Sequence, residues 1–107
     1  MKVIYNRLVP FRGFTAINLF GLVFARRECG PVSDRTLRHE AIHTAQLRET
    51  GYVGFYLIYI AEWLYQWARL RSAKQAYYAV RFEREAYAHQ DELDYLSHRP
   101  PYAWRRT

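Results

Sequence analysis

The stretch Ser33–Thr50, SDRTLRHEAIHTAQLRET, decides how the rest of the chain is read. Ser33 or Asp34 can cap a helix start, and Asp34 places negative charge at the positive end of the helix dipole. No Pro or Gly interrupts the run until Gly51, which suits the left-handed position just past a helix end. Inside it, His39-Glu40-Ala41-Ile42-His43 has the form H-E-x-x-H. Residues four apart lie one above the other on a helix, so the two imidazoles can bind one metal ion. Glu40, beside them, can take a proton from water activated there. Two neutral nitrogen ligands and a carboxylate base suit peptide-bond hydrolysis at zinc. Leu37, Ala41, Ala45 and Leu47 are expected to form the apolar stripe of this helix, with His39 and His43 beside it facing a cleft. Five residues can match by chance, so the reading depends on this helical setting and on a third ligand elsewhere.

The chain has 107 residues, the size of one small domain (1–107). Half of them are hydrophobic and ten are Tyr, enough large apolar surface for a core. Cys29 is the single cysteine, so no intrachain disulfide can form; it is read as structural or incidental, and a reducing compartment is compatible with it. The net charge of +6 is scattered, with small clusters at Arg26-Arg27, Arg69/Arg71/Lys74 and Arg105-Arg106. No basic run interleaves with aromatics on a recognisable scaffold, so no nucleic-acid partner is expected. The N-terminus has neither an uninterrupted apolar run nor a small-residue cleavage site. Gly51–Ala68 carries only one charge, Glu62. That charge and the many Tyr and Trp fit a buried or interfacial helix better than a span. The expected location is cytoplasmic, with membrane contact through 53–71 as an option.

The order of elements reads β, β, α, α, α. Lys2–Pro10 is rich in β-branched and aromatic residues and is expected to be extended. Phe11–Phe14 reads as a turn, and Thr15–Arg27 as a second extended run with a bulge at Gly21. Cys29-Gly30-Pro31 breaks the chain before the motif helix. A second helix is expected over Val53–Arg71 and a third from Ser72 or Ala73 to Leu96, with Ser97–Thr107 as an extended tail. The fold class is therefore α+β, mainly helical, with an N-terminal hairpin or small sheet. Ile17–Phe24 is a candidate edge strand that could pair with an extended peptide.

A catalytic zinc site usually takes three protein ligands. The third helix offers Glu83, Glu85 and His89. Two residues apart, Glu83 and Glu85 point about 200° away from each other, so only one can face the metal. The Glu83 stripe holds Ala79, Ala86, Tyr87 and Gln90, and its alanines permit close helix approach. The Glu85 stripe holds Phe82, His89 and Glu92 and is more polar. Glu83 is favoured on that basis, with Glu85 and His89 as alternatives.

His39, Glu40 and His43 followed by Glu83, Ala86 and Tyr87 resemble the gluzincin branch of zinc metallopeptidases. The segment FEREAY (82–87) is similar to the glutamate helix of CAAX-type and heat-shock-type membrane peptidases, and of anti-repressor metallopeptidases. The whole chain resembles a minimal bacterial metallopeptidase of this type. The resemblance covers about half the chain and implies Zn²⁺ on His39, His43 and Glu83, with Glu40 as general base. It departs at Tyr87, where larger families often carry Asp or Asn to orient a ligand His. Gln46, one turn past His43, is a further candidate to support the ligands. Tyr87, Tyr95, His98 and Arg99 are candidates to stabilise an oxyanion. The expected function is a zinc-dependent peptidase acting on peptides or proteins. The alternatives are a zinc-binding module without catalysis and a membrane-associated helical protein in which H-E-x-x-H is coincidental.

Overall fold

The computed structural model describes residues 3–6, 16–19, 22–26 and 32–106. The expected turn at Phe11–Phe14, the bulge at Gly21 and the breaker around Cys29 lie outside them. Strands β1 (Val3–Asn6), β2 (Ala16–Leu19) and β3 (Leu22–Arg26) form a small mixed sheet in the order β1-β3-β2. β2 and β3 pair antiparallel, with Leu19 opposite Leu22, while β1 runs parallel to β3 from Val3↔Val23 to Asn6↔Arg26. Val23 and Ala25 alternate into the core and are fully buried. The segment Ile17–Phe24 is thus not one edge strand. Its β3 half is paired on both sides, and only β2 lies at an edge.

Helix α1 (Asp34–Glu49) begins where local chemistry places it. Ser33 is the N-cap, its Oγ accepting from the Thr36 N–H at 3.2 Å. At the other end Gly51 takes φ +69°, and the Tyr52 N–H donates to Leu47 O at 2.8 Å, a Schellman closure. The buried stripe of α1 is not the expected apolar one. His39, Glu40, Ile42, His43, Gln46 and Leu47 face inward, while Leu37, Ala41 and Ala45 are only half-buried. Polar groups occupy the core side because they find partners there.

Helix α2 (Val53–Leu70) follows with no interruption. Among the described residues no helix is long and apolar enough to cross a membrane. The single third helix expected from 72 to 96 is instead α3 (Ala73–Ala79) and α4 (Arg81–His89), parted at Val80, which is extended at φ −61°, ψ 131°. The cause is Glu62 of α2. Its Oε1 accepts from the Arg81 N–H at 3.0 Å and its Oε2 from the Arg81 guanidinium at 2.6 and 2.8 Å. A carboxylate supplied from another helix thereby caps α4 at its positive end.

The expected extended tail is also replaced. A short helix α5 (Tyr95–His98) and a 3₁₀ turn (Ala103–Arg106) fold back onto α4. Trp104 is buried against Phe82, ring centroids 4.7 Å apart, in a core completed by Leu47, Phe55 and Val80. The Arg99 side chain is 5% exposed and holds Glu49 and Glu85. A buried Trp and a buried, paired Arg are the reason this segment is ordered.

Candidate metal centre

The site forms where α1 lies against α4. His39 and His43 project from successive turns of α1, and Glu83 projects from the first turn of α4. Glu83 Oε1 is 3.0 Å from His39 Nε2 and 3.0 Å from His43 Nε2, and the two nitrogens are 3.1 Å apart. These spacings approach the edge of about 3.3 Å in a tetrahedron whose ligands lie about 2.0–2.1 Å from zinc. All three residues are buried, at 5–6% exposure. Together they form a group that can hold a metal ion.

The surrounding hydrogen bonds fix the ligand chemistry. Gln46 Nε2 donates to Phe82 O (3.0 Å) and to Glu85 Oε1 (2.9 Å), so its amide cannot be reversed without opposing two acceptors. Its Oε1 therefore faces His43 Nδ1 at 2.7 Å, and Nδ1 must be the donor. The Nε2 lone pair of His43 is then left pointing at Glu83. Gln90 Oε1 lies in the equivalent place on His39 Nδ1, at 3.0 Å. Two imidazole nitrogens and a carboxylate oxygen converge as acceptors, and such a set requires positive charge between them. A proton or a metal ion can supply it. Burial works against a charged His43, but the Glu83 carboxylate overrides it and pushes His43 from 6.5 up to about 9. For Glu83, burial acts to raise the carboxyl, yet the imidazoles of His43 and His39 hold it well below its ordinary value of 4.5.

Only one oxygen of Glu83 serves the triad. The Tyr59 hydroxyl of α2 donates to the other, Oε2, at 2.7 Å. Tyr59 was not among the residues expected here. The signal that could have revealed it is a polar stripe, Tyr59-Glu62-Gln66, on one side of an otherwise apolar helix. Phe55, one turn earlier, packs edge-on against His43 with ring centroids 5.8 Å apart. Gln90 was placed on the Glu83 stripe by its spacing, but its contact with His39 depends on where α1 sits.

Glu40 is buried at 7% exposure, and its carboxyl is raised, first by burial, with His43 and His39 opposing and Glu83 reinforcing. It therefore shares the electrostatic environment of the triad. Glu85 does not. It is fully buried on the other side of α4, where it accepts from Tyr95 (2.7 Å), Gln46 (2.9 Å) and Arg99 (2.5 and 3.0 Å). His89 bonds Glu92 and stacks on Tyr95.

The oxyanion candidates fare unequally. Tyr95 and Arg99 are both engaged by Glu85, and exposed His98 lies 3.6 Å from Asp94. None of these three is brought to the triad. Tyr87 is: its ring meets His39 edge-on at 4.5 Å, while its hydroxyl shares a 2.8 Å hydrogen bond with Tyr77. No family model, curated protein or solved structure matches this chain.

Proposed function

We propose that the protein is a zinc-dependent peptidase whose metal is held by His39, His43 and Glu83. The observation that carries this reading is the convergence of two Nε2 atoms and one carboxylate oxygen at 3.0–3.1 Å, with His43 Nδ1 tied to Gln46. His₂Glu is a familiar catalytic zinc set. When bound, the ion supplies a Lewis acid that lowers the pKa of water to about 7 and polarises a carbonyl. Glu40 would be the group that takes the proton from the attacking water and passes it to the leaving amine. Its raised carboxyl suits both halves of that task. Gln46, Gln90 and Tyr59 keep the ligands in place. Tyr87, beside His39 and 38% exposed, is the candidate to meet an oxyanion. The β2 edge is where an extended substrate could add as a strand.

A second reading rests on burial. Glu40 and the three ligand residues are only 5–7% exposed, as suits a metal-binding module that does not turn over. Elemental analysis of the wild type beside His43→Ala and Glu83→Ala tests the site itself. One zinc per chain, lost in both variants, is expected; no zinc in the wild type after loading would refute the centre. Cleavage of a peptide panel by the wild type but not by Glu40→Gln, with zinc retained in both, supports the peptidase. Zinc without cleavage by the wild type selects the silent module.

A further inference from the structure

Helix α2 is apolar on two sides: one packs on the core, and the other faces solvent. Its inward face packs Phe55, Tyr56, Ile58, Tyr59 and Trp63 on the core and carries the half-buried Glu62 and Gln66. Its outward face holds Val53, Leu57, Ile60 and Leu64, which are 62, 66, 53 and 50% exposed, and continues into Trp67 and Ala68. At 100° per residue these six fill an arc about 100° wide with no polar member. Contiguous apolar surface of this kind marks an interaction site.

The charges around it indicate the partner. Residues 52–79 contain four charged side chains, Glu62, Arg69, Arg71 and Lys74. Glu62 is consumed by Arg81. The three cations are exposed, and none has an acidic partner among the described residues. Arg71 lines a shallow groove together with Leu64, Trp67 and Ala68. A second copy laid on this face offers no matching charge. Parallel pairing through the ridge sets Arg71 against itself, and antiparallel pairing sets it against the uncharged Tyr52–Tyr56 end. An anionic lipid surface answers both features, with acyl chains for the ridge and headgroups for the cations. Tyr65, 65% exposed at the rim of the ridge, and Trp67 within it have the amphipathic rings favoured at headgroup depth.

We propose that the outward face of α2 docks in the plane of an anionic membrane, with the ridge Val53-Leu57-Ile60-Leu64 in the acyl boundary and Arg69, Arg71 and Lys74 on the headgroups. The metal centre, on the inward side of α2, then faces away from the lipid.

The test is flotation of the full chain with phosphatidylcholine vesicles, with and without about 30% phosphatidylserine. Binding at least tenfold stronger to the anionic vesicles, weakened by salt, is expected. Leu57→Ser with Leu64→Ser keeps the charge, alters only exposed positions, and should abolish it. Arg69→Gln with Lys74→Gln should weaken it roughly tenfold, while Arg105→Gln with Arg106→Gln, which removes the same charge elsewhere, should leave it within about twofold. Equal loss in both cation pairs would reduce the effect to net charge and overturn the proposal. So would equal binding to neutral vesicles. A concentration-dependent dimer that Leu57→Ser with Leu64→Ser dissolves, with no vesicle binding, would also overturn it and assign the face to self-association. None of these readouts depends on zinc content, so the peptidase reading stands or falls separately.

Discussion

At the scale of single residues, the His39-His43-Glu83 group depends on neighbours outside it. The Tyr59 hydroxyl occupies Glu83 Oε2, which leaves Oε1 to complete the triad. Tyr59→Phe removes one oxygen and little volume, so the fold should survive. Zinc affinity should fall about tenfold to a hundredfold, read by competition with a chromogenic chelator. Unchanged affinity would show that Glu83 needs no such support. His43 gives a pH prediction for the metal-free protein. Its folded value is raised to about 9 from 6.5, so the stability gained from its imidazolium beside Glu83 is complete below pH 6.5 and is lost as pH rises through about 9. The loss is on the order of 3 kcal/mol. Denaturant midpoints taken with chelator between pH 6 and 10 should decline. Saturating zinc should remove the decline, because the metal takes the place of the Nε2 proton.

At the scale of elements, α4 is positioned by a cap that belongs to α2. Glu62 accepts from the Arg81 backbone and guanidinium together, and so sets where α4 starts and where Glu83 points. Glu62→Ala should cost about 1–2 kcal/mol of stability. It should weaken zinc binding as well, although residue 62 makes no contact with the triad. Thermal unfolding and the same chelator competition measure the two effects. A stability loss with zinc affinity intact would mean that α1 alone holds α4 in register. The break at Val80 follows from the same contact, because the chain must leave α3 to bring Arg81 onto Glu62.

At the scale of the whole molecule, the C-terminal segment closes the fold from behind the site. Arg99 bridges Glu49 of α1 and Glu85 of α4, and Glu85 in turn holds Gln46, which holds His43. This buried chain of contacts ties residue 99 to His43 of the candidate metal centre. Arg99→Leu strands one fully buried carboxylate and a second that is 15% exposed, and should cost about 3–5 kcal/mol. Arg99→Lys should recover only part of that, since an ammonium cannot form both paired contacts. Equilibrium unfolding of the two variants beside the wild type measures the difference. A loss below 1 kcal/mol in Arg99→Leu would show that the tail is an appendage.

From the sequence alone come α1, a start at Ser33 or Asp34, an end at Gly51 and the shared face of His39 and His43; the structure makes Ser33 the cap. Those features are set by interactions within five residues of the chain. The extent of α2 was legible for the same reason. The preference for Glu83 over Glu85 also drew on local spacing, through the small Ala79 and Ala86, but spacing leaves both carboxylates open. Both are buried, on opposite sides of α4, and only the packing of α1 on one side and of Arg99 on the other gives each its role. Tertiary structure likewise decided the break at Val80, the seat of Trp104 and the part played by Tyr59. Each depends on a partner 19 to 24 residues away in the chain. Helical periodicity carries no record of such partners, because a hydrogen bond or ring contact across that distance exists only once the helices have packed.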